Sequence, residues 1–267
     1  VSGLTGDYFV AGAQDNGSQY FANAAASNAA STEVQGGDGA FCMFDQGTDK
    51  YYITNYVYNA NVNLRFTNGT VRNLNNEPLS SPNGSFICPM VLDSNRDMLY
   101  SDYTTGTTYR ILRYSNIKSG TVNRTQLTNA LLTSQPSAFA VSKYTTTSTT
   151  LLVGTRAGKL YRLTNANTTA TWTDISTNAF VGTISDIEYG ASNDEIFVTM
   201  SNYNVTSIWY TSNGTSATPT WVNKEGNFPD IPVRCILQNP LLPTTEVIVG
   251  SDLGVWYLQQ EAIKKFG

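Results

Sequence analysis

With no histidine anywhere in the chain, chemistry has to come from carboxylates, tyrosines, arginines and three cysteines. That absence removes His-based triads, His general bases and His metal ligands together. The remaining reactive types sit in short polar turns: Gln14-Asp15-Asn16, Asp38, Asp102-Tyr103, Arg156, Asn202-Tyr203-Asn204, Asp230 and Asp252. Loop carboxylates, a cation and tyrosine rings suit hydrogen bonding and stacking on a polar ligand, which makes Asp15, Tyr103, Arg156 and Tyr203 the candidate binding residues. Turns also want these residue types for backbone reasons. Asp15-Asn16-Gly17 is a type I′ hairpin signature, and Asp38 lies within Gly36-Gly37-Asp38-Gly39. A second acidic series, Asp45/Asp49 and Asp93/Asp97, offers oxygens to Ca²⁺ without the alternating spacing of an EF-hand, and reads as turn capping. No motif calls for a cofactor or a metal. Cys42, Cys88 and Cys235 each lie in an apolar run assigned to an innermost strand, where thiols act as small hydrophobes. A Cys42–Cys88 bridge would require their Cα atoms to lie within about 7 Å.

The elements that must position these residues repeat along the chain. Glu246 to Leu258 reads as a β-rich run, a tight polar turn and a second β-rich run ending in aromatics. Similar runs start at Tyr8, Tyr51, Met98, Leu151 and Glu195. The small residues that close them, Gly12, Thr54, Ser101, Gly154, Thr199 and Gly250, are 42, 47, 53, 45 and 51 residues apart, the period of propeller blades. The fold expected is all-β: a β-propeller of four-stranded antiparallel blades, about six of them visible, alone or within a seven- or eight-bladed ring. Blade two is expected at Ala40–Phe44, Tyr51–Tyr56, Asn61–Phe66 and Gly69–Leu74. Blade three spans about Ser85–Leu132, with a long strand Thr107–Tyr114, and blades four and five span Ser137–Ile175 and Ile184–Val222. The first blade lacks an inner strand, entering at Tyr8–Ala13 after a turn-like Val1–Gly6. The sixth ends after Val255–Leu258 in the non-repeating tail Gln259–Gly267. Residues 1–267 therefore read as one propeller domain, a fragment of a longer chain. In such a blade the turn between second and third strands shares a face with the link into the next blade, which gathers the turn residues named above.

Hydrophobic residues make up 40% of the chain, enough for a core, while charged residues are only 13%, leaving Asn, Thr, Ser and Gly to cover an extracellular type of surface. A net charge of −4 with no Lys/Arg run argues against nucleic acid as a partner. No apolar run reaches the roughly 18 residues of a membrane span. Seven Asn-x-Ser/Thr sequons, at Asn16, Asn68, Asn83, Asn123, Asn167, Asn204 and Asn213, would carry N-glycans in a eukaryotic secretory host.

Three segments carry a family resemblance: Gly12-Ala-Gln-Asp-Asn-Gly17; Gly36-Gly-Asp-Gly39 with Phe41-Cys-Met-Phe-Asp45; and Ile231 to Pro240 leading into Val249-Gly-Ser-Asp-Leu-Gly-Val-Trp256. In these the chain resembles secreted BNR-like, sortilin-like β-propeller proteins of Bacteroidetes, cargo of the type nine secretion system. Asn165-Ala-Asn-Thr-Thr-Ala-Thr-Trp172 and the looser Thr211 to Trp221 resemble the Asp-box turns of sialidases, which are structural in that family. Gly37-Asp-Gly-Ala-Phe41 and Ser251-Asp-Leu-Gly-Val-Trp-Tyr257 are distantly similar to the acid and base motifs of two-propeller glycoside hydrolases that cut xyloglucan. That resemblance implies Asp38 as catalytic acid and Asp252 as catalytic base of an inverting reaction, whose carboxyls stand roughly 6.5 to 9.5 Å apart.

The reading that follows is a non-catalytic, secreted or cell-surface propeller. It holds a glycan or protein on its loop-rich face and adjoins neighbouring domains or subunits of a larger surface assembly. The alternative is a glycoside hydrolase acting on a β-glucan through Asp38 and Asp252.

Overall fold

The computed structural model describes residues 8–24, 30–243 and 246–259. The expected entry turn Val1–Gly6 and the tail after Gln259 lie outside the described residues. The chain forms two compact units, meeting in sequence at Thr128/Asn129.

In the first unit, blade one consists of β1 (Phe9–Ala13), β2 (Gly17–Phe21) and β3 (Thr32–Gln35). Blade two is β4 (Cys42–Phe44), β5 (Tyr52–Thr54), β6 (Val62–Arg65) and β7 (Val71–Asn75), and blade three is β8 (Met90–Asp93), β9 (Met98–Asp102), β10 (Ile111–Ser115) and β11 (Asn123–Leu127). In the second unit, blade four comprises β12 (Pro136–Val141), β13 (Leu151–Thr155), β14 (Leu160–Thr164) and β15 (Thr171–Asp174). Blade five comprises β16 (Ile184–Tyr189), β17 (Ile196–Met200), β18 (Ile208–Thr211) and β19 (Val222–Asn223), and blade six β20 (Val233–Gln238), β21 (Glu246–Ser251) and β22 (Gly254–Gln259). Each sheet pairs its strands antiparallel in chain order. The fold class is all-β, six blades of β-propeller type, with no α-helix among the described residues and none long and apolar enough to cross a membrane.

In the four-stranded blades burial peaks at the second strand and falls toward the fourth. The second strands β13 (LLVGT) and β17 (IFVTM) are buried at every residue, and β17 has the sheets of blades four and six on its two faces. Such strands read as continuous apolar runs, and each large side chain so buried contributes about 1.5–3 kcal/mol. The fourth strand β11 (NRTQL) is exposed except at Leu127, and its polar residues blunt the open edge. The repeat markers Thr54, Ser101, Gly154, Thr199 and Gly250 all lie on second strands. Gly12 lies on β1, which packs on β4 as β13 packs on β16, so β1 holds the second-strand position and blade one starts there among the described residues.

Two local expectations are corrected. β10 starts at Ile111 rather than Thr107, because Thr105 and Thr108 pair across a tight turn that puts Gly106 at φ +57°. The three thiols are free, and only Cys88 is buried. Cys88 precedes β8, Cys42 is half-buried, and Cys235 is exposed on β20.

One device recurs where blades meet in the second unit. The first strands β12, β16 and β20 each slip register near their start, between Pro136/Ala138, Ile184/Asp186 and Val233/Cys235. A bulge of this kind re-aims the extra residue's side chain. In blade four that residue is Ser137, whose Oγ donates to the Ile184 carbonyl at 2.6 Å. In blade five it is Ser185, donating to the Val233 carbonyl at 2.7 Å. In blade six the position holds Arg234, which turns instead to Asp252.

Candidate functional site

The turns between second and third strands and the links into the next blade do share a face within each unit, and their contacts reveal what several candidate residues do. In the first unit Asp15 takes a left-handed φ of 60° in the β1–β2 turn, and its N–H donates to Asp38 Oδ1 at 3.0 Å. Backbone completes the clasp: Gly17 N donates to Gly37 O at 2.7 Å and Gly39 N to Ala13 O at 3.0 Å. A Cβ on Gly39 would stand 2.2 Å from Gly17 O, so the glycines flanking Asp38 are required by close chain approach. The second unit repeats the motif with other residues. Asn204, at φ 60°, donates its N–H to Asp230 Oδ1 at 2.7 Å. Asp38 and Asp230 are thus link carboxylates that cap the preceding blade's turn.

Asp252, in the β21–β22 turn, receives Arg234 Nε on Oδ1 at 2.7 Å and Nη2 on Oδ2 at 3.0 Å. This bidentate bond from Arg234 holds the Asp252 carboxyl below its usual range, and the same bond, followed by the Asp252 charge and Tyr203, raises the proton affinity of the guanidinium. Tyr203, Arg234 and Asp252 are therefore brought together, with Tyr203 59% exposed. Arg156 projects from the β13–β14 turn of blade four; its N–H donates to Gln135 O and its carbonyl accepts the Thr183 hydroxyl.

Tyr103 is half-buried. The Arg110 guanidinium lies 5.3 Å from its ring centroid. Burial, then a hydrogen bond to Glu77, pushes its hydroxyl up to about 12. Its neighbour Asp102, expected on the open face, is fully buried, accepting Thr104 N at 2.9 Å and the Ser85 hydroxyl at 3.1 Å. Of the acidic residues of the opposite turns, Asp45 and Asp93 cap backbone as expected, whereas Asp49 and Asp97 bond a lysine side chain. Asp45 accepts Gly47 N and Lys50 N, Asp93 accepts Asn95 N, and Asp49 and Asp97 share Lys118.

The aromatic part of the turn face is larger than the sequence suggests. Tyr58, at φ 53°, stands edge-on to Phe86 with centroids 5.6 Å apart and planes at 88°. Its N–H donates to the Phe86 carbonyl at 2.9 Å, which holds a side chain in a region that non-glycine residues avoid. Phe86 is 42% exposed, Ile87 46% and Leu79 52%, all on the link between β7 and β8. Tyr56 lies over Gly37, where a Cβ would meet its ring at 2.5 Å, and Phe41 is exposed on the link into β4. The sequence does not single these residues out: Tyr56 reads as the end of the strand Tyr51–Tyr56 and Phe86 as part of the apolar run that holds Cys88. Their signal was an aromatic in a link next to a turn.

The chain matches no protein-family model, and no curated protein matches it.

Proposed function

We propose that this protein is a non-catalytic, secreted or cell-surface binding module that holds a glycan on the aromatic turn face of its blades. The observation that carries the reading is the exposed Phe86 ring, backed edge-on by the half-buried Tyr58, with Ile87 and Leu79 exposed beside it on the first unit's turn face. Rings left open to solvent and fixed by their backbone offer stacking surface to sugar C–H faces at low entropic cost. Tyr203 adds a second open ring in the second unit. The exposed apolar surface also suits a protein partner or a neighbouring domain of a larger surface assembly. The resemblance to BNR-like propellers secreted by Bacteroidetes through the type nine system supports the extracellular reading.

The carboxylates favour binding over hydrolysis. Asp38 spends an oxygen on the Asp15 amide, and both oxygens of Asp252 are engaged by Arg234. A carboxyl held below its usual range by an arginine is a weak base for activating water.

Affinity electrophoresis against soluble polysaccharides, xyloglucan among them, tests the proposal alongside reducing-end release. Phe86→Ala and Tyr203→Ala should each weaken retention about fivefold, the equivalent of about 1 kcal/mol of stacking. Wild type and an Asp38→Asn, Asp252→Asn double variant should release no reducing ends. Release by wild type that the double variant lacks would establish the hydrolase instead.

A further inference from the structure

A cavity of about 250 Å³ opens in the second unit, at the blade ends opposite the β13–β14 and β17–β18 turns. Thr145, Thr150, Arg162, Tyr189, Asn193 and Thr215 line it. They come from the β12–β13 connection and β14 of blade four, and from β16, the β16–β17 connection and the β18–β19 connection of blade five. The two turns resembling Asp boxes, Asn165–Trp172 and Thr211–Trp221, lie at these same ends.

Two of the lining hydroxyls have no partner. Tyr189 is 4% exposed, and both its hydroxyl and Thr145 Oγ1 are buried without a hydrogen bond. Buried hydroxyls are nearly always satisfied, so two orphans on one cavity point to a group that bonds both. One water would need roughly 15 Å³, far less than the space present.

Arg162 adds charge. Its Nη1 is held by the carbonyls of Gly214 and of Ser216, the latter at 2.9 Å, which anchors the guanidinium and leaves Nε and Nη2 as a two-donor edge. Among the described residues no carboxylate pairs with Arg162; the nearby Asp194 accepts the N–H and hydroxyl of Thr215. A preorganised, unpaired guanidinium edge fits a carboxylate bidentately.

We propose that this cavity binds a carboxylate-bearing pyranose, a hexuronic acid, with its carboxylate on Arg162 and ring hydroxyls on Tyr189 Oη and Thr145 Oγ1. The site is independent of the aromatic turn face and stands whether or not that face binds a glycan.

The test is an NMR titration of the ¹⁵N-labelled protein with D-glucuronate and D-galacturonate, reading the Thr145, Asn193 and Thr215 amides, with D-glucose as the uncharged comparison. Saturable shifts with a uronate are expected, weaker by about tenfold or more with glucose. Tyr189→Phe removes one hydroxyl and keeps the ring, so it should weaken uronate binding about tenfold while leaving the melting temperature unchanged or raised. Arg162→Lys should lose the preference for uronate over glucose. A trigalacturonate arm separates the two sources: tighter binding than the monomer marks a uronate at a chain end, equal binding a free sugar acid. No saturable shift with any uronate, equal response to glucose, or wild-type affinity in Tyr189→Phe would each overturn the assignment.

Discussion

Glu188 is the side chain least at ease in the fold. It lies on β16, two residues after Asp186 and on the same strand face, and burial, only partly offset by Lys143 and reinforced by Asp186, pushes its carboxyl up to about 7. Asp186, likewise raised by burial, is still served by the N–H groups of Ile187 and Ile236. Raised acids make the native state the tighter proton binder between the unfolded and folded values. Stability then falls as pH climbs from about 4.5 to 7 and levels off above, costing on the order of 1–3 kcal/mol. Glu188→Gln should flatten this decline, melting higher than wild type at pH 8 and equally at pH 4. Parallel pH–melting curves for the two proteins would show that Glu188 is solvated in the native state. The candidate residues show how one residue type serves two ends: Asp38 and Asp252 carry motif-like glycine surroundings, yet their oxygens are spent on the Asp15 amide and the Arg234 guanidinium. A local motif cannot distinguish a free carboxylate from a capping one, because the partner amide or cation lies 23 or 18 residues away.

At the scale of elements, the bulge that opens β16 sets how blade five meets blade six. Ser185 Oγ lies 2.7 Å from the Val233 carbonyl and 2.9 Å from Thr199 Oγ1, and the Ile236 N–H donating to Asp186 at 2.8 Å is a second polar bond between the same two strands. Ser185→Ala leaves that carbonyl short of a donor and should cost about 1 kcal/mol, lowering the melting temperature by about 2–4 °C. Ser185→Thr keeps the donor and should recover most of the loss, whereas equal melting of the Ala variant and wild type would mean the bulge is held by packing alone. The strands themselves were legible because second strands buried at every residue must be written as unbroken apolar runs, as in Leu151–Thr155 and Ile196–Met200. The sites were less so. The uronate cavity draws on Thr145, Arg162, Tyr189 and Thr215, spread over four separate elements, and its threonines look like any other turn residue in so Thr-rich a chain. The Tyr58–Phe86 pair depends on a left-handed tyrosine, a conformation that the residue type argues against. Conversely, Thr107–Tyr114 reads as one strand that starts four residues before β10, because these β-prone residues give no sign of the Thr105–Thr108 turn.

For the whole molecule the relevant quantity is a modest net charge of −4 on a surface carrying few charges, which does not steer a polyanion in and leaves a neutral ligand unaffected. Salt therefore separates the two kinds of binding assigned here. Stacking on Phe86 and Tyr203 involves no ionic partner, so polysaccharide retention should change less than about twofold between roughly 50 and 500 mM NaCl. Uronate binding at Arg162 rests on a charge pair partly open to solvent, and the same rise in salt should weaken it about three- to tenfold. Measuring both ligands on one preparation, by affinity electrophoresis and NMR titration across the salt series, makes each the control for the other. If neutral polysaccharide retention falls as steeply as uronate binding, stacking on Phe86 and Tyr203 does not account for it, and the assignment of those rings fails. If uronate binding is indifferent to salt, the carboxylate does not sit on Arg162, and the cavity takes the sugar ring through its hydroxyls alone.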